Sequence, residues 1–263
     1  KGHTLRKATH RSPEQADQVQ LNLVSGEGID AALQDADAAF LMAPPGYTAQ
    51  DKLLKPFIVA AQKHQLKRIV LMTAMGADAV EASPMRQAEI ALENSGLNYA
   101  IIRPNWFMQN FNTYWLQGIL DKGVIALPTG EAAGSFIDAR DIGAVAATLL
   151  DSQNQTLLNQ AYNLTGAESL THDEVAAILT RVTGKAIRYE DTAPAQVKSN
   201  LLAAGLPEDY ADFMLMILDA FKQGYSSAIT TAVKDVTGQA PIAFKTYAKD
   251  YAEAYQSPAI TRG

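Results

Sequence analysis

Five short apolar runs, four of them leading into a turn or a stretch of helical periodicity, set the strongest limit on the fold. They are His3–Thr9, Val19–Val24, Ala38–Pro44, Arg68–Ala74 and Asn98–Pro104. "GIDAALQD" between the second and third predicts a short helix. Thr48–Gln65 carries Leu53, Leu54, Phe57, Ile58 and Ala61 at helical spacing and predicts a long one. "SPMRQAEIALENSG" places Ser83 as a cap, Pro84 at the first helical position and Gly96 at the stop. Strands this apolar, separated by helices, belong to a parallel sheet covered on both faces. Right-handed crossovers then make an α/β, doubly wound arrangement.

Beyond Pro104 the alternation loosens. "VIALPTGEAAGSFIDARDIGAVAATLL" predicts a strand, a glycine-rich turn and a helix over Asp138–Leu150. Asp138 reads as its cap and Asp141 as half of a structural ion pair. "QAYNLTG" is a strand, and Thr171 with Glu174 forms a capping box for a helix that stops at Gly184. "AIRYED" is a short strand. From Pro194 onward nearly everything is helical, with Met214, Leu215, Ile217, Leu218 and Phe221 forming one apolar face. The expected organisation is a parallel-sheet domain over 1–150 and a smaller, mainly helical cap over 151–263. Residues 159–165 are expected to return to the sheet edge.

Composition excludes several functions. The chain has 263 residues, a net charge of −6 and no cysteine. The charge and the lack of a basic stretch argue against nucleic acid as a ligand. Without cysteine there is no disulfide, Cys-ligated zinc or thiol nucleophile. His3, His10, His64 and His172 are scattered, so no metal site is expected. No apolar run is long enough for a membrane span, and the first residues lack a signal-peptide core. A cytoplasmic location is expected, and a homo-oligomer is compatible with the sequence.

A dinucleotide-binding unit opens with a strand, a glycine-rich turn and a helix whose N-terminus meets the pyrophosphate. The sequence has no G-x-G-x-x-G. "SGEG" (Ser25–Gly28) follows a strand but lacks the third glycine, and reads as a turn. The next part of such a unit is present. Its second strand would be His3–Thr9, with Lys1–His3 as the tail of a helix, so a strand, loop and helix of roughly 20 residues are expected in front. NAD binders carry an acid at the end of that strand, and NADP binders a positive group near the 2′-phosphate. Here the end is "THRS", with Arg11 and, nearby, Lys7.

At "AAFLMAPPG", "RIVLMTAMGA", "AEIALENSGLNYAIIRPNWFMQNF" and "SFIDARDIGAVAATLL" the chain resembles the NmrA-like family, atypical short-chain dehydrogenase/reductases. The tail "AYNLTGAESLTHDEVAAILTRVTGKAIRYED" followed by "LLAAGLPEDYADFML" extends the likeness to almost the whole chain. The resemblance implies a Rossmann domain binding NADP(H) or NAD(H), with a small cap closing a substrate cleft. Members are NAD(P)H-dependent reductases of quinones, azo or triphenylmethane dyes, or else redox sensors that bind the nucleotide and regulate a partner. The family's N-terminal glycine-rich loop is absent from this sequence.

In that frame Arg11 would pair with the 2′-phosphate and stack on adenine, or be a solvated loop residue. NADP(H) is therefore the expected cofactor over NAD(H). Asn22 would hydrogen-bond the adenine amino group or form a turn. Ala43, Pro44, Pro45 and Gly46 would line the ribose and pyrophosphate, or simply join strand to helix with Thr48 as the cap. Met72 and Thr73, the latter the sole hydroxyl of its loop, would flank the nicotinamide ribose. Pro104 and Asn105 would lie beside the nicotinamide. Trp106, Phe107 and Met108 would wall a cleft for a flat aromatic or quinone-like substrate, although Phe107 and Met108 also suit a core. The standard Tyr/Lys proton relay is missing, its positions falling on Glu81 and Met85. The expected function is NAD(P)H-dependent reduction of a quinone, azo or other aromatic acceptor. The alternative is a non-catalytic NAD(P) sensor that binds a protein partner.

Overall fold

The structure is a computed structural model, and it describes residues 2–256. Lys1 lies outside the described residues. In chain order, β1 (Lys7–Thr9), β2 (Gln18–Gln20), α1 (Ile29–Leu33), β3 (Ala38–Met42), α2 (Gln50–Lys63), β4 (Arg68–Met72), α3 (Pro84–Glu93) and β5 (Tyr99–Pro104) come first. A 3₁₀ turn at Met108–Asn112 leads to α4 (Leu116–Lys122), β6 (Val124–Leu127), β7 (Ala133–Gly134) and α5 (Ala139–Asp151). Then come β8 (Gln160–Leu164), β9 (Leu170–Thr171), α6 (His172–Thr183) and β10 (Arg188–Asp191). The rest is α7 (Pro194–Ala203), α8 (Glu208–Lys222), α9 (Ala232–Thr237) and α10 (Phe244–Asp250). Among the described residues no helix is long and apolar enough to cross a membrane.

The chain divides into two compact units, each made of separated segments. The first holds Lys1–Arg103 and Ala146–Tyr162, the second Pro104–Val145 and Asn163–Gly263.

In the first unit, β3, β4 and β5 run parallel, with Ala38 beside Arg68 and Ile69 beside Tyr99, and β8 follows as the fourth strand of the sheet. The periodic residues of α2 bury as their spacing requires, with Leu54, Phe57, Ile58 and Ala61 packing on Leu41, Ile69, Leu71 and Ile101. Ser83 caps α3 by accepting from the Arg86 N–H, and Pro84 follows as its first residue. At the end of α5, the Arg68 guanidinium donates to the carbonyls of Leu149 and Leu150 at 2.7 and 2.9 Å. A cation there offsets the negative end of the helix and satisfies carbonyls that have no partner inside it.

Several expected boundaries move. β1 and β2 form a separate parallel pair of three residues each, shorter than the runs His3–Thr9 and Val19–Val24. The front of β1 is lost because Arg6 turns away, its guanidinium donating to the Ala32 and Gln34 carbonyls at the end of α1 at 3.1 and 2.6 Å. Leu5 is left 70% exposed. Gly2 and His3 are not helical. His3 instead pairs with Asp151 at 2.9 Å. The long helix starts at Gln50, with Ala49 rather than Thr48 in the position just before it.

The second unit has two small sheets. β6 pairs with β10 in parallel, and β7 with β9 antiparallel. The capping box forms as spaced, Thr171 Oγ1 accepting from Glu174 N–H while Glu174 accepts from Thr171 N–H. Only part of the expected α8 face is fully buried, through Leu218 and Phe221, while Met216 is 60% exposed. The core is aromatic, built on Phe111, Phe136, Phe221, Phe244, Tyr247 and Tyr255.

Candidate functional site

Ligands of parallel α/β sheets lie at the carboxyl ends of the strands, so the loops leaving β1, β3 and β4 are the place to look. After β1, Arg11 is exposed, and its backbone N–H donates to Thr9 Oγ1 at 3.2 Å. Among the described residues its guanidinium has no hydrogen bond or ion pair. After β2, Asn22 lies past the strand. Its Oδ1 accepts from the N–H groups of Val24 and Ser25 at 2.9 and 3.2 Å, a turn of the kind short amide side chains form.

The loop after β3 runs through Ala43, Pro44, Pro45 and Gly46. Gly46 has φ +87°, and nothing lies within 4 Å of where a Cβ would stand. The loop after β4 repeats this at Gly76, with φ +85° and the same open space. Both turns need glycine for their left-handed conformation. Both also leave bare backbone facing room that a ligand could fill.

Thr73, just past Met72 at the end of β4, is fixed from below. Its hydroxyl donates to Glu89 Oε1 at 2.6 Å, and its N–H donates to the Ile102 carbonyl at 3.0 Å. Glu89 is wholly buried and is the hub of an ion cluster. Arg103 Nε and Nη2 donate to its two oxygens at 2.9 and 2.7 Å, and Arg86 Nη1 donates to Oε2 at 3.0 Å. Arg103 also donates to Asp78 Oδ2 at 2.5 Å, tying down the loop that holds Gly76. Burial opposes ionisation of Glu89. The hydrogen bonds from Arg103 and Thr73, with the charge of Arg103, outweigh it and hold the carboxyl below its usual range. Because a carboxylate only accepts, Thr73 Oγ1 keeps lone pairs alone for any ligand.

In the second unit, Pro104 is buried at the end of β5. Asn105 is 6% exposed, and its Nδ2 donates to Ser135 Oγ and to the Ser226 carbonyl at 2.7 and 2.8 Å. Trp106 keeps some exposed surface and packs against Trp115 and Phe221, with centroids 6.1 and 5.8 Å apart. Phe107 is also partly exposed and bridges to Ile137. Met108 has no exposed surface and belongs to the core with Phe111.

Asp138 does cap α5, its Oδ1 accepting from the Arg140 N–H at 2.9 Å, and it forms the local ion pair with Arg140. Asp141, expected in an ion pair, takes part in none among the described residues. It accepts from the Ile242 N–H at 2.8 Å, and burial raises its carboxyl pKa. Glu81 is exposed in the loop before α3, and Met85 lies in the first turn of α3.

Two buried polar groups escaped the sequence reading. Glu89 and Arg103 lie 14 positions apart, and only the packing of α3 on β5 brings them together. His172 was counted only as one scattered histidine. Its Nδ1 lies 2.9 Å from Thr129 Oγ1, which is 3.0 Å from the Tyr189 hydroxyl. Among the described residues its Nε2 has no hydrogen-bond partner. Phe136, Tyr189 and Phe221 surround the ring, with centroids within 5.1–5.4 Å. Burial pushes its pKa down to about 3, so the ring is neutral. The one available signal was its place just inside a capping box, on the turn that faces a core.

Comparisons with known proteins bear on the family and the fold. The NmrA-like family model matches residues 7–240. The NAD(P)H azoreductase of Xenophilus azovorans is 33% identical over 233 residues, 86% of this chain and 79% of that one. The NADPH-dependent quinone oxidoreductase QOR2 of Escherichia coli, solved with NADPH, superposes with a TM-score of 0.76 at 20% identity, over 89% of this chain and 82% of that one. The negative transcriptional regulator Nmra, solved with NAD, superposes with a TM-score of 0.73 at 15% identity, over 96% and 88%. At these identities the two solved structures speak for the fold. The family match takes in every loop described above, from β1 to just past α9, and on that evidence the chain belongs to the NmrA-like family.

Proposed function

We propose that this protein is an NAD(P)H-dependent reductase that delivers hydride to a quinone, azo or other aromatic acceptor. The observation that carries the reading is the pair of loops at the carboxyl ends of β3 and β4, where Gly46 and Gly76 leave open space beside bare backbone. A nucleotide backbone needs such an approach, so these residues fit the cofactor. The similarity to an azoreductase supports the acceptor class. When bound, the reduced nicotinamide supplies the hydride. Ala43, Pro44, Pro45 and Gly46 shape the floor for ribose and pyrophosphate, while Met72 and Thr73 meet the nicotinamide ribose. Thr73 accepts there, because its own proton is committed to Glu89. Asn22 stands near the adenine. Pro104, Asn105 and Met108 are further candidates in the second unit taken by itself, where Trp106 and Phe107 offer the flat apolar surface an aromatic acceptor prefers.

Arg11 gives the preference for NADPH over NADH, since its guanidinium is exposed and unpaired among the described residues. Titration of tryptophan fluorescence with each nucleotide tests this. NADPH is expected to bind more tightly, and Arg11→Ala to erase the difference with a stability change within about 0.5 kcal/mol. Equal affinities in the unchanged protein would refute the Arg11 assignment.

One observation favours a second reading, a nucleotide sensor that regulates a protein partner. Glu81 and Met85 replace the usual relay, and the nearby Thr73 hydroxyl donates inward. NADPH oxidation with a quinone and an azo dye separates the two readings. Steady turnover supports the reductase, and tight binding without turnover across a broad acceptor panel supports the sensor.

A further inference from the structure

Within the second unit, α6 and α10 enclose a surface groove of about 450 Å³ lined by Ile178, Arg181, Val182, Lys245 and Lys249. Its walls are cationic in a chain whose net charge is −6. Among the described residues, none of the three cations takes part in an ion pair. Asp250, the acid next to Lys249, is occupied by Arg140 at 2.7 Å. Glu253, four positions after Lys249, makes no pair with it.

Helix electrostatics explain part of this arrangement. Arg181 and Lys249 sit in the last turns of α6 and α10, where a cation meets the negative end of a helix. Lys245 does not fit that account. It is the second residue of α10, at the positive end, and it stands four residues before Lys249, so the two like charges face each other. Glu168 accepts from the Phe244 N–H at the start of α10 at 3.1 Å but makes no ion pair with Lys245. An arrangement that local electrostatics disfavours, and that no ion pair among the described residues relieves, points to an anion from outside.

We propose that this groove binds a small phosphomonoester carrying an apolar body. The three cations that line it match a group of nearly two negative charges, and the planar guanidinium of Arg181 can grip two of its oxygens. Ile178, 9% exposed, and the half-buried Val182 give the apolar body a floor. The volume suits a small molecule. The negative net charge disfavours an extended polyanion, and so little exposed apolar surface disfavours a membrane.

The test is calorimetric titration of the full chain with phenyl phosphate, alongside inorganic phosphate, phosphatidic-acid vesicles and an oligoglutamate peptide. Phenyl phosphate is expected to bind saturably, several-fold more tightly than inorganic phosphate, and more weakly as salt rises. Lys245→Gln with Lys249→Gln keeps helix propensity and removes the repulsion. It is expected to weaken phenyl phosphate at least tenfold while the melting temperature holds or rises. Arg181→Gln is expected to weaken binding similarly. The same affinity in these variants overturns the proposal, as does the absence of saturable phenyl phosphate binding. So does binding of the vesicles or the peptide alone. None of these outcomes depends on nicotinamide binding or turnover.

Discussion

At the carboxyl edge of β4 and β5 the first unit buries a full ion pair, Glu89 with Arg103, and surrounds it with further donors. The second unit seals in a group of another kind, His172, and it is neutral. The two solutions follow from one rule. A buried charge is tolerated only with a partner and hydrogen bonds to its remaining lone pairs, because desolvation costs several kcal/mol per ion. A neutral ring costs less to bury, so His172 can leave Nε2 without a partner among its aromatic neighbours. The first unit therefore depends on both members of its pair. The second depends on keeping a proton out.

Breaking the pair is expected to give the largest effect. Glu89→Ala leaves Arg103 buried with its carboxylate gone and is expected to cost about 3–5 kcal/mol in urea unfolding at neutral pH. Replacing Glu89 and Arg103 together with leucine and methionine is expected to cost much less. A single-variant loss below about 1 kcal/mol would show that the cluster is not the support described here.

Acid sharpens the comparison. The unfolded His172 takes up a proton as pH falls below its ordinary value of 6.5, and the folded one resists until about 3. The unfolded chain binds more protons across that window, so the stability from His172 is complete above it and is lost as pH falls. The slope is about 1.4 kcal/mol per pH unit. Glu89 acts in the same direction but lower. Its folded pKa lies below the ordinary 4.5, so its contribution holds above 4.5 and is lost as pH falls through the folded value. Unfolding measured at several pH values is expected to show His172→Phe removing the slope between 6.5 and 4.5. An unchanged slope in that variant would assign the acid sensitivity elsewhere.

Smaller effects follow from the neutral network and its helix. Tyr189→Phe removes the hydroxyl that accepts from the Thr129 N–H and donates to the Leu127 carbonyl, and is expected to cost about 1–2 kcal/mol. Thr171→Ala removes the side-chain half of the capping box and is expected to cost about 1 kcal/mol. Thermal or urea unfolding of each variant measures both losses.

What the sequence revealed was whatever is written in local period. The apolar runs at β3, β4 and β5, the buried face of α2, the caps of α3 and α6 and the glycine stop at Gly184 all depend on neighbours a few positions away. β1 was overdrawn because the alternation of His3–Thr9 says nothing of Arg6, which finds better acceptors at the end of α1. The candidate site was legible as loops, since ligand position follows from strand direction. The Glu89 cluster under Thr73 was not, because its members sit on different elements. The role of His172 was hidden for the same reason, with only its place beside the capping box to hint at it. A histidine becomes a neutral core residue only when Phe136, Tyr189 and Phe221 arrive from elsewhere in the chain.

The segment boundaries carry a consequence for synthesis. The first unit takes residues up to Arg103 and then waits for Ala146–Tyr162, while the second begins at Pro104 and closes only with its stretch from Asn163 onward. At about 5–20 residues per second, a ribosome spends seconds translating the 42 residues from Pro104 to Val145 before the first unit can receive β8 and the end of α5. Until then Arg68 has no Leu149 and Leu150 carbonyls to meet, and β5 lacks β8 on its outer side. The segment up to Arg103 therefore emerges with an open strand edge, and its completion must wait until a stretch that belongs to the other unit has been made.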